Sequence, residues 1–377
     1  MPAAASDAIL VLNSGSSSLK FGVFVRGSSD EQLVLEGSAG AIGKKNGSLH
    51  IRDAKGNQLL HEEHALETRQ GAFTKLMAVL KRQLAAPPIA VGHRVVHGGP
   101  RLREHQRLTA KAIAALEGAT HFAPLHIPPA LKLIRQTERT FPAVPQIACF
   151  DTAFHRTMPE VAAHLPLPGR YFEEGVMRYG FHGLSYESIV HRLGRELPAR
   201  AVFAHLGNGS SVVAVLNGKS VDTSMGLTPT GGLVMSTRTG DLDPGVLIYL
   251  MRKEKFGADE LEEFVNHECG LAGFSDGESD MQKLLARAAK NDSAAELAIA
   301  AFCVTVRKYV GAYAALMGGL DLLVFTGGIG EHSEEIRRQI CDGVDFLNVS
   351  APGGVRVMPS QEEVQIARHC RRLLAQE

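Results

Sequence analysis

Two stretches far apart in the chain are built to one design, and that repetition limits the fold more than any other feature. The first runs Ile9-Leu10-Val11-Leu12-Asn13-Ser14-Gly15-Ser16-Ser17-Ser18-Leu19-Lys20-Phe21-Gly22-Val23-Phe24-Val25. The second runs Ala201-Val202-Phe203-Ala204-His205-Leu206-Gly207-Asn208-Gly209-Ser210-Ser211-Val212-Val213-Ala214-Val215. In each, an apolar run, a turn of Asn, Gly and Ser, and a second apolar run follow one another. That is the pattern of two β-strands joined as a hairpin. One such hairpin in each half of a 377-residue chain predicts a duplicated fold of two domains, each with its own core. Small turn residues let backbone N–H groups approach a ligand, and Lys20 adds a cation beside the first turn, which suits a phosphate. Taken alone, that turn reads equally well as an ordinary Ser-rich hairpin.

Apolar spacing elsewhere predicts further strands at 33–35, 49–51, 89–96, 146–150, 320–326 and 355–359. Helices are expected over 72–84, 109–116, 130–137, 185–197, 294–316, 333–341 and 361–374, with Ser333 as an N-cap. Pro124, Pro128 and Pro129 predict an ordered loop before residue 130. Residues 222–245 form a long Gly-, Thr-, Pro- and Ser-rich loop carrying Arg238, Asp241 and Asp243. Its apolar residues Met225, Leu227, Leu233, Val234 and Met235 argue for an ordered, functional loop.

Charged groups at strand ends mark candidate sites. Arg94 sits in the apolar strand at 89–96, where a buried guanidinium needs an anion. An internal salt bridge and a bound carboxylate or phosphate both meet that need. Asp151 follows the strand at 146–150, where ligands bind in α/β proteins, although it could also cap the next segment. Gly327-Gly328-Ile329-Gly330-Glu331-His332 follows a buried strand and opens the way for a nucleotide to approach backbone and helix start.

Several function classes are excluded or disfavoured. Forty basic residues balance forty acidic ones, so no global field points to nucleic acid or a membrane. Five widely spaced cysteines without a CxxC pair fit a reducing cytosol. Residues 1–7 lack the basic region and apolar core of a signal peptide, and no run is expected to reach the length of a membrane span. A soluble cytoplasmic protein is therefore expected. Gly218-Lys219-Ser220 lacks the upstream glycine of a P-loop, since Val213 stands there. Gly328-Ile329-Gly330 does not continue as a dinucleotide fingerprint. Gly273-Phe274-Ser275-Asp276-Gly277 matches GxSxG, but no strand is expected before it, so a hydrolase on Ser275 is a distant alternative.

Seven stretches, taken in order, resemble the acetate kinase family. They are 13–20, Gly92-His93-Arg94-Val95-Val96-His97-Gly98-Gly99, Phe150-Asp151-Thr152-Ala153-Phe154-His155, Tyr179-Gly180-Phe181-His182-Gly183, 205–209, Ser236-Thr237-Arg238-Thr239-Gly240-Asp241-Leu242-Asp243-Pro244-Gly245, and 325–331. The resemblance implies an α/β, duplicated actin-like ATPase (ribonuclease H-like) fold with the active site in the interdomain cleft. Its domains would be 1–152 plus about 364–377, and 153–363. The implied reaction is reversible transfer of the ATP γ-phosphoryl group to acetate, giving acetyl phosphate and ADP.

The same resemblance implies the roles. Arg94 would hold the substrate carboxylate, with Val96, Leu125, Phe181 and Pro229 around its methyl group. His182 and Arg238 would donate to the phosphoryl group in flight. Asp151 would be the essential acid; acetate is already ionised at neutral pH, so organising metal-bound water and neighbours suits it better than general-base work. Asn13 and Glu362 would sit near magnesium (or manganese) and Lys20 near the phosphates. ATP would meet His205, Leu206, Gly207, Asn208, Gly209, Asp280, Met281, Gln282, Gly328, Ile329, Gly330, Glu331 and His332. A homodimer without nucleic-acid or membrane partners is implied.

Three positions depart from the family pattern. Gln282 replaces the Arg of Ser-Asp-Met-Arg, removing a cation near the nucleotide. His332 stands where Asn is usual, and Thr230-Gly231-Gly232 lacks the usual acidic residue. Propionate kinase is the near alternative. An actin-like or chaperone-like ATPase switch is the alternative of another class, and would need a peptide-binding or polymerising segment.

Overall fold

The computed structural model describes residues 7–14, 18–40, 42, 47–63, 68–348 and 353–376. The chain divides into two compact units, Met1–Ala153 with Gln361–Glu377, and Phe154–Ser360.

The first unit holds an eight-stranded sheet made of β1 (Ile9–Ser14), β2 (Leu19–Arg26), β3 (Glu31–Gly40), β4 (Ser48–Asp53), β5 (Gln58–Glu63), β6 (Ala90–Val95), β7 (Gln106–Arg107) and β8 (Gln146–Phe150). Their order is β5-β4-β3-β2-β1-β6-β8-β7. β1 and β2 form the expected hairpin, with Ile9 opposite Phe24 and Asn13 opposite Lys20. The centre of its turn, residues 15–17, lies outside the described residues. β6 runs parallel to β1, and β8 parallel to β6, so Asn13, Arg94 and Asp151 all come to one end of three adjacent strands. Leu10, Leu12, Phe21 and Val23 pack with Phe73, Leu76 and Leu80 of helix Arg69–Gln83. Helix Glu362–Leu374 packs on the sheet through Ile366 and Cys370, both fully buried. A Cβ on Gly92 of β6 would lie 2.5 Å from Ile366 Cγ2 and 2.6 Å from Cys370 Sγ. Only glycine permits that approach, and it sets Glu362 at the start of the helix near the same sheet end.

The second unit holds a five-stranded sheet of β9 (Arg200–His205), β10 (Ser211–Leu216), β11 (Lys219–Thr223), β12 (Leu322–Thr326) and β13 (Val355–Val357), ordered β11-β10-β9-β12-β13. β9, β10 and β11 are antiparallel neighbours, whereas β12 and β13 continue in parallel from β9. The first sheet repeats this arrangement in β3-β2-β1-β6-β8. Two copies of one pairing scheme make the duplicated fold that the paired hairpins predict, in the form the family resemblance implies.

Helix Ser293–Met317 corrects one sequence expectation. Its 25 residues are long and apolar enough, by length and composition, to cross a membrane. Ala298, Phe302, Val306 and Val310 are instead buried in the core of the second unit with Leu284, Leu323, Phe325 and Ile336. Asp292 caps its start by accepting from the amides of Ala294 and Ala295.

Three local expectations also change. Helix Ile127–Thr140 begins before the predicted residue 130, with prolines in its first turn, where the missing N–H costs nothing. β11 takes Asp222 and Thr223 out of the long loop, whose far end is closed by Asp243 capping helix Pro244–Glu254. Ser275 follows a helix, Gly270–Phe274, and donates its hydroxyl to the carbonyls of Leu271 and Glu278. The strand that a nucleophile elbow requires is missing there.

Candidate active site

The end of β1, β6 and β8 gathers four of the predicted residues of the first unit. Asp151 is 1% exposed, and its carboxylate takes Arg94 in a forked pair. Arg94 Nε lies 3.0 Å from both Asp151 oxygens and Nη2 lies 2.6 Å from Oδ2. Arg94 Nη1 donates to Asn13 Oδ1 at 3.1 Å, and Nε stands 3.7 Å from Glu362 Oε2. Asn13 Nδ2 in turn donates to Glu362 Oε2 at 3.4 Å and to Glu363 Oε1 at 3.0 Å. The sequence reading missed Glu363; its signal was the acidic pair opening the last helix.

The electrostatics of this cluster follow from burial. Loss of water pushes the Asp151 carboxyl up to about 6, against the opposing pull of Arg94. Burial disfavours the Arg94 charge, but Asp151, Glu362 and Glu363 outweigh it and raise its pKa. Three carboxylates around one guanidinium leave a formal charge of −2 when all are ionised. Carboxylate and amide oxygens at one sheet end are the donors a hard divalent cation prefers, so this donor set fits a divalent metal ion.

Other predicted residues of this unit lie around it. Lys20 is exposed on β2, in register with Asn13. Among the described residues, the buried Ser14 Oγ at the mouth of the same turn has no hydrogen-bond partner. Val96 follows β6 half-buried, and Leu125 is 48% exposed.

The second unit brings together His182, His205, Gly209, Pro229 and Arg238. His182 and His205 stack with ring centroids 4.2 Å apart. His182 Nδ1 lies 2.8 Å from Ser211 Oγ, and His205 Nδ1 lies 3.0 Å from Ser185 Oγ. A Cβ built on Gly209 would stand 3.4 Å from Arg238 Nη1 and 3.5 Å from His182 Nε2. The two cationic or polar side chains therefore flank one point above a bare glycine. Arg238 Nη1 also donates to the Pro229 carbonyl at 3.1 Å, and burial lowers the Arg238 pKa.

Local structure explains why these groups stay in place. Gly180 has φ +73°, and a Cβ there would meet Thr223 Cγ2 at 2.4 Å and the His155 ring at 2.6 Å. The fully buried His155 accepts nothing at Nε2, because that atom faces the Phe181 carbonyl at 2.9 Å and must donate to it. Its Nδ1 then accepts from Ser220. This clamp holds the segment just before His182, while Phe181 itself is 1% exposed. The loop bearing Arg238 is fixed by Asp241, which accepts from the Gly232 amide and from the Tyr309 hydroxyl.

The turn between β9 and β10 and the start of helix Gly327–His332 meet closely. Ile329 and Gly330 donate their amides to the Leu206 carbonyl at 2.8 and 3.1 Å, and a Cβ on Gly207 would lie 3.9 Å from the Gly328 amide. Nothing stands within 4 Å of a Cβ on Gly328. Asn208 accepts from the Ser236 amide, and Ser210 Oγ ties the turn across Gly207.

Three predicted nucleotide residues do local structural work. Glu331 Oε1 accepts from the amides of Gly327 and Ser360, both at 3.0 Å. Asp280 caps helix Met281–Ala288 through the Lys283 amide. The Met281 side chain belongs to the hydrophobic core. Gln282 and His332 are exposed.

The sequence model of the Acetokinase family matches residues 8–366. A Rhodopseudomonas palustris protein named acetate kinase is 39% identical over 398 aligned positions, covering 98% of each chain. One from Coprothermobacter proteolyticus is 41% identical, covering 90% of this chain and 88% of its own. Among solved structures, acetate kinase from Porphyromonas gingivalis superposes with a TM-score of 0.86 at 34% identity, over 98% of this chain and 100% of the other. A propionate kinase from Francisella tularensis gives a TM-score of 0.89 at 34% identity, over 96% and 98%.

Proposed function

The chain belongs to the acetokinase family, and from that premise we propose that it transfers the γ-phosphoryl group of ATP to acetate, reversibly, to give acetyl phosphate and ADP. The observation that carries the reading beyond the match itself is the point above Gly209, flanked by His182 Nε2 and Arg238 Nη1. Phosphoryl transfer asks a protein for positioning and for donors around a spreading negative charge. Two donors converging on a residue without a side chain meet that demand.

In this reading Arg94 receives the acetate carboxylate, because a guanidinium matches it with two parallel N–H donors. Asp151 works by orienting Arg94 through the forked contact. It need not take a proton, since acetate attacks as the anion. The family resemblance further assigns Val96, Leu125, Phe181 and Pro229 to the methyl group. His182 and Arg238 donate to the equatorial oxygens of the phosphoryl group. The 205–209 turn and the Gly328–Gly330 backbone of the second unit would hold ATP, and the resemblance assigns Lys20 to its phosphates.

A divalent cation fits the reading electrostatically. Bringing polyphosphate toward a cluster of formal charge −2 needs a counterion, and Asn13, Glu362 and Asp151 would hold magnesium, directly or through its water. Bound there, the ion supplies charge neutralisation between the phosphates and the carboxylates. Glu363 extends that donor set.

Propionate kinase is the second reading, favoured by the Francisella tularensis neighbour. One methylene in an apolar pocket discriminates only weakly. The test is Mg-ATP-dependent acyl-hydroxamate formation with acetate, propionate and butyrate in parallel. Highest kcat/KM with acetate is expected, and no product with any acid would reject the kinase reading. We further infer a cytoplasmic homodimer. Helix Pro244–Glu254 buries none of its residues and exposes Val246, Ile248, Tyr249 and Met251, a surface suited to a second copy.

A further inference from the structure

Behind His182 stand two side chains with no part in the reading so far. Tyr186 lies one turn further along helix Gly183–Leu193 and is fully buried. Its Oη is 2.5 Å from Ser211 Oγ and 3.0 Å from the Ser211 carbonyl. Ser211, also fully buried, opens β10 opposite His205 of β9, so the sheet fixes its position. Its Oγ lies 2.8 Å from His182 Nδ1. Tyr186, Ser211 and His182 thus form one continuous hydrogen-bonded line ending at the ring whose other nitrogen faces Gly209.

The order of protons along this line follows from acidity. A phenol is far more acidic than an aliphatic hydroxyl, so we read the Tyr186 proton as directed at Ser211, shared between its Oγ at 2.5 Å and its carbonyl at 3.0 Å. Burial raises the Tyr186 pKa further above its ordinary value, which keeps that proton on the phenol oxygen. Ser211 then gives its own proton to His182 Nδ1. A neutral imidazole that accepts at Nδ1 carries its hydrogen on Nε2.

The backbone pays for this arrangement. His182 adopts φ 58° and ψ 20° at the start of its helix, a left-handed conformation uncommon outside glycine and costing about 1 kcal/mol or more. That conformation accompanies the seating of one ring between Ser211, the His205 ring and Gly209.

We propose that Ser211 and Tyr186 are positioning residues that hold His182 as the Nε2–H tautomer, aimed as a donor at the point shared with Arg238. The opposite tautomer would turn an acceptor lone pair toward the anionic phosphoryl oxygens. The proposal rests on the phosphotransferase reading for its purpose, but its first test does not depend on turnover.

That test is ring-nitrogen NMR of the full-length protein labelled with 15N-histidine, recorded above the histidine titration range. His182 is assigned by the signals lost in His182→Gln. The expected result is hydrogen on Nε2 in the wild type, with a rise in Nδ1–H in Ser211→Ala and Tyr186→Phe. Ser211→Thr, which keeps the hydroxyl and suits a strand, should retain the wild-type tautomer. In kinetics, Tyr186→Phe and Ser211→Ala should lower kcat by about 10- to 100-fold while acetate KM moves little, with most of the rate restored in Ser211→Thr. Hydrogen on Nδ1 in the wild type would overturn the proposal, as would a tautomer unmoved in both variants. Expected tautomers without acetate-dependent turnover would support the relay and count against the kinase reading alone.

Discussion

Asp151 grips Arg94 with both carboxylate oxygens across a sequence separation of 57 residues, inside a cluster that also contains Asn13, Glu362 and Glu363. The pair is a structural brace and, in the proposed reading, also aims the guanidinium at the substrate. Its two functions can be separated by mutation.

Arg94→Ala leaves Asp151 buried without its partner, which costs about 3–5 kcal/mol in sites of this kind. A lowered Tm and an acetate KM raised by about 10-fold or more are expected. Adding Asp151→Asn should recover much of the stability, since the uncompensated charge is gone, without recovering acetate affinity. Thermal unfolding and steady-state kinetics on the two single variants and the double variant check this.

In the proposed reading Arg238→Ala removes a donor to the phosphoryl oxygens as charge develops on them. Loss of one such donor typically costs about 100- to 1,000-fold in kcat. Acetate KM should change by much less. An unchanged kcat would contradict the transition-state role.

Gly209→Ala separates folding from chemistry. Its new methyl would make ordinary contacts of 3.4 and 3.5 Å with Arg238 and His182, so the Tm should hold within a few degrees. The methyl nevertheless occupies the point the phosphoryl group needs, and kcat should fall by at least about 10-fold. A variant with wild-type turnover would move the reacting centre elsewhere.

Stability should decline in mild acid. Burial pushes His93 and His155 down to about 4 from an ordinary 6.5. Between those values the unfolded chain binds more protons than the folded one. Their contribution is therefore complete above about pH 6.5 and is lost as pH falls toward 4, by about 2 kcal/mol for each at pH 5. Urea unfolding at pH 7.5 and pH 5 reads the loss. His155→Gln, which can still donate to the Phe181 carbonyl, should shrink it.

Ile248→Glu places a charge on the exposed apolar side of helix Pro244–Glu254, where Ile248 is 49% exposed. Sedimentation should show dimer for the wild type and monomer for the variant. A wild-type monomer would reject the homodimer.

The sequence by itself determined the duplicated strand–turn–strand design, the strand that delivers Asp151, and the family motifs. These are local signals: residue alternation, turn chemistry and contiguous patterns survive in one dimension. It also offered two readings of Arg94, an internal salt bridge or a ligand for an anion. Only the tertiary structure supplied the contact with Asp151, by laying β6 and β8 side by side in parallel register. In the same way it brought Glu363 to Asn13 across 350 residues and set Ser211 and Tyr186 behind His182. It also turned an apolar 25-residue helix into a core element and gave Met281 to the hydrophobic core. Those outcomes depend on which surfaces meet after the sheets form, and chain packing, unlike strand alternation, leaves no fixed spacing to read.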